Sequence, residues 1–380
     1  MKAFKIKNGL QAGRYLGSNG TETTGSVGYN LAGASYDSVS FGVASQETAP
    51  YGLTFNNDGT KMYIIGQGTD QIYQYSLSTA FDLSTTSYDS VSFNVTSQNS
   101  GAAGVAFNSD GTKMYMVGYS TPSSVFQYSL STAFDLSTAS YDSVSFNVSS
   151  QASTAFGLAF NNAGTKMYIV SFANDTIYQY SLSTAFDLST ASYDSVSLNV
   201  NAQEAAPAGM TFNNDGTKMY IVGENGDEVN QYGLSTAFDL STASYDNIAF
   251  SLSSQDSTPS DIAFNNDGTK MYMVGYNTDI VYQYSTVAYT QALDLSTGTT
   301  FSFTPSGATT VSLTNPPATG IAIGFTVEII GDASAITWPS SVKWPAGVAP
   351  TATATKELYT FVTTDGGTTY YGKKAAEGIS

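Results

Sequence analysis

The chain has 380 residues and a formal net charge of −17 at pH 7, with 13 Lys plus Arg against 30 Asp plus Glu. It has no Cys and no His, which excludes disulfides, thiolate nucleophiles, imidazole general bases and metal sites built from Cys or His ligands. The acidity argues against nucleic acid or an anionic membrane surface as a partner, and the 13% aromatic content favours a folded all-β protein over a disordered acidic chain.

Residues 1–34 are predicted to form a basic N-terminal arm, which lacks the apolar stretch of a signal peptide. We therefore expect a protein that is made in the cytoplasm and does not insert into a membrane. The segment Phe4-Lys5-Ile6-Lys7-Asn8-Gly9-Leu10, followed by Arg14-Tyr15-Leu16, resembles the start of fibre and appendage proteins of bacteriophages. In such proteins this part of the chain commonly attaches to the particle, and the resemblance implies virion anchoring through Lys5, Lys7, Arg14 and Tyr15.

An internal repeat dominates residues 35–286. The string NNDGTKMY, or a near copy of it, occurs five times, with its Met at positions 62, 114, 167, 219 and 271. The spacings are 52, 53, 52 and 52 residues, and a second string, SYDSVSF or a close variant, recurs with the same spacings. A fixed period of this length is typical of architectures in which each repeat is one supersecondary unit.

Each repeat is predicted to contain four short strands, which we call a, b, c and d. In the first repeat they cover residues 52–55, 61–65, 71–77 and 88–95. The Asn-Asp-Gly sequence between strands a and b favours a hairpin turn, because Asp and Gly tolerate positive φ. Four strands per unit, repeated radially, predict the blades of a β-propeller.

The number of blades follows from the ends of the repeat region. It begins with a lone strand d at residues 36–43 and ends with an a-b-c set that lacks its own strand d. These two incomplete units complete each other if the ring closes, and closure leaves no free sheet edge. We therefore predict a closed five-bladed propeller with interlocked closure. The alternatives are an open β-solenoid and a ring completed by another chain.

The hairpin between strands a and b resembles the repeat of YVTN-type propellers, whose units carry the pattern S-P-D-G-x-x-L-Y-V. The segment Asn57-Asp58-Gly59-Thr60-Lys61-Met62-Tyr63-Ile64 matches this pattern loosely, and the third copy departs from it with Ala163 in place of the Asp. The resemblance implies the fold alone, because propellers host many unrelated functions.

Up-and-down strand order places the b–c and d–a loops on one face of a propeller and the a–b turns and c–d links on the other. We call these the variable face and the repeat face, because the first set of loops differs strongly between copies and the second is nearly identical. The variable face comprises the b–c loops 67–71, 119–124, 172–176, 224–230 and 276–280 and the d–a loops 44–52, 96–104, 149–157, 201–209 and 253–261. It carries ten acids and no Lys or Arg; the acids are Glu47, Asp70, Asp175, Glu204, Glu224, Asp227, Glu228, Asp256, Asp261 and Asp279.

The candidate ligand-binding residues lie on the variable face. Five are acids, namely Asp70, Glu224, Asp227, Glu228 and Asp279, and five are a repeated glutamine, namely Gln46, Gln98, Gln151, Gln203 and Gln255. The alternative for the acids is a solubilising role on unconstrained loops, and for the glutamines it is hydrogen bonding to backbone groups at their own blade junctions. A cluster such as Glu224, Asp227 and Glu228 is also a candidate Ca²⁺ site. Its spacing matches no EF-hand loop, so we expect no metal and no cofactor.

Residues 287–380 show alternating apolar positions separated by Pro and Gly turns, which predicts a small C-terminal β-sandwich or jelly roll. The two Trp of the chain are predicted to be core or turn anchors, with a sugar-binding platform as the alternative. The segment resembles a C-terminal domain of tail-fibre and minor structural proteins of tailed bacteriophages. The matching pieces are Thr314-Asn315-Pro316-Pro317, Trp338-Pro339 through Val342-Lys343-Trp344-Pro345, Ala349-Pro350-Thr351, Tyr359-Thr360-Phe361 and Thr364-Asp365-Gly366-Gly367-Thr368-Thr369-Tyr370-Tyr371-Gly372.

These resemblances imply a virion structural protein, a phage fibre or appendage subunit that is released by lysis and displays its propeller for attachment to a host surface. The expected partners are other virion proteins, further copies of the chain in a homo-oligomer such as a trimer, and a host-surface glycan or protein. The alternatives are a capsid or neck decoration protein without a receptor role, a propeller enzyme acting on glycans, and a cellular adhesin. We expect no catalytic residues, because the acids form no recognisable glycosidase motif.

Overall fold

A computed structural model describes residues 14–16, 22–24, 28–286, 289–305, 309–330, 336–353 and 355–379. They form two compact units: Tyr36–Thr286 make up one, and the described residues of the two flanks make up the other. Strands and 3₁₀ turns account for the regular structure of these residues. No helix among them is long and apolar enough to cross a membrane.

The N-terminal flank begins with two short strands, β1 (Arg14–Leu16) and β2 (Glu22–Thr24), which pair in antiparallel orientation. A 3₁₀ turn follows at Leu31–Gly33. The chain then enters β3 (Ser35–Gly42), which is a strand of the propeller.

Every blade of the propeller is a four-stranded sheet whose strands follow one another in chain order, except at the closure. The first blade contains β4 (Pro50–Phe55), β5 (Lys61–Gly66), β6 (Gln71–Leu77) and β7 (Thr86–Asn94), and the second contains β8 (Ala102–Phe107), β9 (Lys113–Gly118), β10 (Ser124–Leu130) and β11 (Ala139–Asn147). The third contains β12 (Ala155–Phe160), β13 (Lys166–Ser171), β14 (Thr176–Leu182) and β15 (Ala191–Asn199), and the fourth contains β16 (Pro207–Phe212), β17 (Lys218–Gly223), β18 (Glu228–Leu234) and β19 (Ala243–Ser251).

The fifth blade joins both ends of the repeat region. It contains β20 (Pro259–Phe264), β21 (Lys270–Gly275) and β22 (Ile280–Ser285), and its fourth strand is β3, which precedes the first blade in the chain. The predicted five-bladed ring with interlocked closure is thereby confirmed. In the first repeat, the predicted strand limits differ from the observed ones by at most two residues.

Burial along each strand follows from its place in the blade. Strand b is an inner strand of its blade, and the neighbouring blades cover both of its faces, so β5 is buried at every residue from Met62 to Gly66. Strand d forms the outer edge, and the burial of β7 largely alternates along its length. The continuous apolar run of KMYIIG and the alternation of SYDSVSF are the sequence forms of these two environments.

The five copies of strand a surround the propeller axis, each next to its counterparts in the adjacent blades. They approach so closely that a Cβ on Gly52 would lie 2.6 Å from the carbonyl oxygen of Ala103 in the second blade. The fifth and first blades meet through polar contacts: the Leu53 N–H donates to Asp261 Oδ2 at 2.9 Å, and Ser260 Oγ donates to the Pro50 carbonyl at 2.9 Å. The ring is therefore closed by hydrogen bonds within one chain.

The C-terminal part of the other unit is a β-sandwich of two sheets. One sheet contains β23 (Tyr289–Asp294), β25 (Thr309–Thr314) and β27 (Ile336–Thr337), and the other contains β24 (Thr300–Phe303), β26 (Ile323–Ile329), β28 (Val342–Lys343), β29 (Lys356–Thr363) and β30 (Tyr370–Ile379). A 3₁₀ turn at Pro345–Gly347 follows β28. The strands from β23 to β28 alternate between the sheets, so β23 pairs with β25 and β24 with β26 in parallel orientation.

The two sheets share one core, which contains Trp338 at 8% exposure and the partly buried Trp344 against it. Their ring centroids are 5.5 Å apart. Both Trp therefore pack in the core, in agreement with the prediction that they are core or turn anchors.

Candidate functional site

Hydrogen bonds between connections confirm the predicted division of the loops between two faces. The Val95 N–H at the start of a d–a loop donates to the Asp70 carbonyl of a b–c loop at 3.0 Å. On the opposite side, the Phe81 N–H of a c–d link donates to the Gly59 carbonyl of an a–b turn at 2.9 Å. Each pair of connections is therefore tied together at its own face.

An ion pair that is repeated in every blade lies near the repeat face. Lys113 Nζ lies 2.6 Å from Asp142 Oδ2, and the same carboxylate accepts hydrogen bonds from Gln127 Nε2 at 2.9 Å and Ser129 Oγ at 2.5 Å. Burial opposes ionisation of Asp142, but Lys113 and these hydrogen bonds outweigh it and lower its pKa. The equivalent pairs are Lys61–Asp89, Lys166–Asp194, Lys218–Asp246 and Lys270–Asp37. All five Lys of the propeller are thus engaged away from the variable face.

The glutamine in this cluster also joins neighbouring blades. Gln127 Oε1 accepts a hydrogen bond at 2.9 Å from the Leu188 N–H, which belongs to the c–d link of the third blade. Gln74, Gln179 and Gln283 make the same contact with the blade that follows each of them. The repeat face is therefore the structural side of the propeller, because its side chains hold the blades to one another.

Glu47 holds two loops of the variable face together. Its carboxylate accepts hydrogen bonds from Ala49 N at 2.9 Å in its own d–a loop and from Gly68 N at 2.8 Å and Thr69 Oγ1 at 2.7 Å in the b–c loop. The residue is fully buried. Its role is to satisfy loop backbone groups that would otherwise be unpaired.

The position of Glu47 recurs in every copy with a changing side chain. The equivalents are Asn99, Ala152, Glu204 and Asp256. Asn99, Glu204 and Asp256 each accept hydrogen bonds from backbone N–H groups of both loops, and Ala152 has no side chain that could do so. Glu47, Glu204 and Asp256 are therefore three of the ten acids on the variable face that are buried and hold a d–a loop to a b–c loop; we call such a side chain a loop clamp.

Three of the predicted ligand-binding acids share a backbone position. Asp70, Asp227 and Asp279 have φ of 51°, 50° and 53°, and the equivalent Asp175 has φ of 51°. The carbonyl of each accepts a hydrogen bond from the N–H of the residue that follows strand d of the same blade. Asp tolerates this left-handed conformation better than most residues. The structure gives these residues a turn-forming role and leaves their carboxylates half-buried on the variable face. Burial followed by the Asp256 charge raises the pKa of Asp227, and burial followed by the Glu47 and Asp256 charges raises that of Asp279.

The repeated glutamines lie beside strand c of their own blades. The Oε1 atoms of Gln46, Gln98, Gln151 and Gln203 lie between 3.1 and 3.5 Å from the hydroxyl of a strand-c Tyr, which is Tyr75 in the first blade. No such contact involves Gln255 among the described residues, and all five side chains are half-buried. These glutamines are therefore spread around the ring and do not converge on one site.

Aromatic side chains fill the mouth of the propeller axis on the variable face. They come from two positions per blade: the second residue of strand a, and the residue that follows strand b. We call this set the axial aromatic cluster; it consists of Tyr51, Tyr119, Phe156, Phe172 and Tyr276. The sequence analysis missed it, although an alignment of the five copies at these two positions would have shown it.

Phe156 forms the buried floor of the cluster, and the other four aromatic residues form a rim that is partly open to solvent. Tyr51 stacks on Phe156 with ring centroids 4.7 Å apart and packs against Tyr276 at 4.9 Å. Phe156 is only 7% exposed and also contacts Tyr119 at 5.0 Å and Phe172 at 4.8 Å. The other four rings are half-buried, so each keeps part of its surface open to solvent.

Gln67 and Glu224 complete the rim, because they occupy the position after strand b in the two blades that have no aromatic residue there. Gln67 accepts a hydrogen bond from the Tyr119 hydroxyl and donates one to the Tyr276 hydroxyl at 3.3 Å. Glu224 Oε1 is buried and has no hydrogen-bond partner among the described residues. Burial, followed by the nearby charge of Glu204, raises the pKa of Glu224. Glu228, at the start of β18, is half-buried outside this cluster.

Asp261 stands where strand a of the other four blades has a glycine. Its carboxylate lies at the axis, where Oδ2 accepts from Leu53 N and Oδ1 accepts from Ile262 N, both at 2.9 Å. Burial raises the pKa of Asp261 to about 7.

The predicted anchoring residues lie in the other unit. Arg14 and Tyr15 are in β1, where they pair with Thr24 and Thr23, and Lys5 and Lys7 lie outside the described residues. Within the described ranges, no three Asp, Glu, Cys or His side chains converge on a position that could hold a metal ion.

Comparison with solved structures finds distant likenesses, and three of them each cover about three-fifths of this chain. A protein from Lactobacillus plantarum is 12% identical over 62% of this chain and 67% of its own, with a TM-score of 0.41. A candidate 6-phosphogluconolactonase from Bacteroides uniformis is 15% identical over 59% of this chain and 63% of its own, with a TM-score of 0.39. The Cps50 (Swd1) β-propeller domain of Myceliophteria thermophila is 8% identical over 62% and 83%, with a TM-score of 0.39.

No protein-family profile matches the chain. No curated protein sequence matches it either. The likenesses concern the fold and carry no argument about activity.

Proposed function

We propose that this chain is a virion structural protein of a tailed bacteriophage, a fibre or appendage subunit that displays its propeller for attachment to a host surface. The observation that carries the proposal is the division of the propeller into two faces. All the variable loops and the axial aromatic cluster lie on one face, and the repeated contacts between blades lie near the other. A rigid body with one changeable face suits a protein that is held in an assembly and meets a ligand with its loops.

The virion context rests on the phage resemblances of residues 1–34 and 287–380. Several copies on one particle would convert weak binding at each propeller into firm attachment. The C-terminal sandwich is the proposed oligomerisation module. Among the described residues, the exposed large apolar side chains are all in this part of the chain: Ile321, Ile330, Val348, Val362 and Tyr371. Val362 and Tyr371 lie directly opposite each other on β29 and β30, where they form an apolar pair that a second copy would cover.

Binding is a better interpretation of the variable face than glycan hydrolysis. A glycosidase needs two carboxyl groups that flank the scissile bond in a pocket. Glu47, Glu204 and Asp256 are closed to solvent and use their oxygens on loop backbone groups. They are therefore poorly placed to reach a substrate.

The decisive experiment uses antibodies raised against the full chain and the phage particles that carry it. We expect the antibodies to label the particle in electron micrographs and to reduce adsorption to host cells, and we expect the purified chain to compete with adsorption. Labelling with undiminished adsorption would favour the decoration role. Turnover of purified host glycans by the chain would favour the enzyme, and absence of the chain from the particle would overturn the proposal.

A further inference from the structure

Glu224 is an acid without a partner in a region that has no cation to offer. Its Oε1 atom is buried and lacks a hydrogen-bond partner among the described residues. The five Lys of the propeller are all paired with Asp near the repeat face. Glu224 is half-buried as a residue, but a buried carboxylate oxygen without a partner costs free energy, and in most proteins such an atom is hydrogen-bonded.

The surroundings of Glu224 are aromatic. Its charge is close enough to Tyr51 to contribute to the raised pKa of that phenol, after burial. Tyr51 is part of the axial aromatic cluster, and the half-buried Tyr119 and Tyr276 pack against it. Aromatic faces attract organic cations through the ring quadrupole, so aromatic surface near a carboxylate suits an ammonium group.

We propose that the axial aromatic cluster binds an organic ammonium group, with Glu224 as its counter-ion. The inference deepens the proposed attachment function, because it names the chemistry of the ligand that the variable face would recognise. The ligand is a trimethylammonium or primary ammonium group presented on a surface polymer. Charge complementarity favours this occupant: the repeat region carries 23 acids against 5 Lys. A neutral sugar could stack on the rings and donate a hydroxyl hydrogen bond to Glu224, but it would leave the negative charge of Glu224 without a counter-ion.

The test is isothermal titration of the full chain with four small probes. Choline is compared with its neutral isostere 3,3-dimethylbutan-1-ol, and glucosamine with N-acetylglucosamine. We expect the charged member of at least one pair to bind about tenfold or more tightly than its neutral partner, and the affinity to fall as salt is added. The pair that shows the difference identifies a quaternary or a primary ammonium group as the ligand.

Two matched variants separate the site from the general acidity of the face. Glu224→Gln keeps the side-chain shape and is expected to weaken binding of the charged probe about tenfold or more. Asp175→Asn removes one charge from another b–c loop of the same face, outside the cluster, and is expected to change affinity less than twofold. Equal binding of charged and neutral probes, equal loss in both variants, or no binding of any probe would overturn the inference.

The outcomes for the ligand and for attachment are distinguishable. If Glu224→Gln abolishes probe binding but the purified chain does not compete with phage adsorption, the ammonium site stands and the attachment function fails. If the purified chain competes with adsorption and the Glu224→Gln chain competes equally well, attachment stands and the ammonium site fails.

Discussion

The two faces of the propeller use acidic side chains in opposite ways. Near the repeat face, every blade has an Asp that is paired with a Lys and tied to strand c by a Gln, as Asp142 is. On the variable face, the position of Glu47 is filled in turn by Glu, Asn, Ala, Glu and Asp. An ion pair needs a partner of opposite charge, whereas a backbone N–H can donate to any suitable side-chain oxygen. The first arrangement is therefore constrained to remain the same in each copy, and the second is free to change.

The largest expected effect comes from breaking one ion pair near the repeat face. Asp142→Ala leaves Lys113 without its counter-ion and Gln127 Nε2 without its acceptor, so we expect it to lower the free energy of unfolding by about 2–4 kcal/mol. In a body of this size that corresponds to a fall in melting temperature of roughly 5–15 °C, measured by circular dichroism. The control is Asp110→Ala in an exposed a–b turn, where only the hydrogen bonds with Thr112 are lost. An equal effect of both substitutions would contradict the contrast between paired and unpaired acids.

The same substitution at the closure tests the interlocked blade. Asp37 lies on β3 and makes the contacts of Asp142, with Lys270 Nζ at 2.6 Å and Gln283 Nε2 at 2.9 Å. Strand β3 is joined to the fifth blade by non-covalent contacts, whereas β11 follows β10 in the chain. We expect Asp37→Ala to increase hydrogen exchange in 35–42 more than Asp142→Ala increases it in 139–147. Equal exchange would mean that covalent continuity adds little to the outer strand.

The next effect depends on pH and concerns Asp261, the acid that strand a of the fifth blade places at the axis. The pKa of Asp261 is raised to about 7 in the folded protein, so the folded state binds this proton more tightly than the unfolded state. The resulting stability is complete below the ordinary pKa of Asp and is lost as pH rises through about 7. Asp261→Asn should remove this dependence. Relative to the unsubstituted chain, we expect the variant to gain on the order of a few kcal/mol between pH 4 and pH 8.

Thermal melts of both chains across this pH range measure the difference. Asp256→Asn is a suitable control, because it makes the same chemical change in the same blade and keeps the side chain as an acceptor for Thr258 N. If the difference between Asp261→Asn and the unsubstituted chain does not vary with pH, the axial carboxylate is not the group that titrates.

Much of the contrast between the two faces could be predicted from the sequence. The repeat defines the blade, and the difference between constant and variable loops defines its two faces. The 52-residue period, the lone strand d and the Asn-Asp-Gly turn were sufficient to predict the ring and its closure. Two features were not predictable. Phe81 and its equivalents adopt φ near 60° in the c–d links, and Ser90 and its equivalents do so at a bulge in strand d. Neither residue type favours that conformation, so packing and hydrogen bonding to the adjacent strand impose it.

The roles of the acids on the variable face were predicted less well. A carboxylate can either hold a loop in place or bind a ligand, and composition does not separate these roles. Burial and hydrogen bonding separate them. Glu47 is closed to solvent and accepts hydrogen bonds from backbone N–H groups, whereas Glu224 lies near Tyr51 and its Oε1 atom has no hydrogen-bond partner among the described residues. The axial aromatic cluster was not predicted because its members come from two positions, on strand a and after strand b, in different blades. They meet only when the ring closes.

A moderate effect is expected from changing Glu47, the loop clamp whose side chain differs between the copies. Glu47→Ala leaves Gly68 N and Thr69 Oγ1 without their acceptor, and we expect a loss of about 1–3 kcal/mol, with faster hydrogen exchange in 67–70. Glu47→Asn should cost clearly less, because Asn99 fills this position in the next copy and accepts from Ser120 N. If Asn is as damaging as Ala, the clamp depends on the negative charge and the copies are not equivalent.

The smallest effect is a gain in stability at the repeat face. Asn57, Asn162, Asn214 and Asn266 each donate from Nδ2 to a backbone carbonyl in the next a–b turn, and these bonds run around the axis. The second blade has Ser109 instead, and among the described residues the link from that turn to Asn162 is missing. Asn57, Ser109 and Asn162 border a cavity of about 310 Å³ at this gap.

Ser109→Asn should supply the missing bond and raise the melting temperature by about 1–3 °C, since one hydrogen bond contributes about 0.5–1 kcal/mol. Asn214→Ser opens the same gap elsewhere in the ring and should lower it by a similar amount, and Ser109→Ala should leave it unchanged. A gain at position 109 that mirrors the loss at 214 would show that the repeat face is stabilised by the identity of its copies. If Asn214→Ser destabilises the propeller but Ser109→Asn brings no gain, the second blade has adapted to its gap and the copies are less alike than their turns suggest.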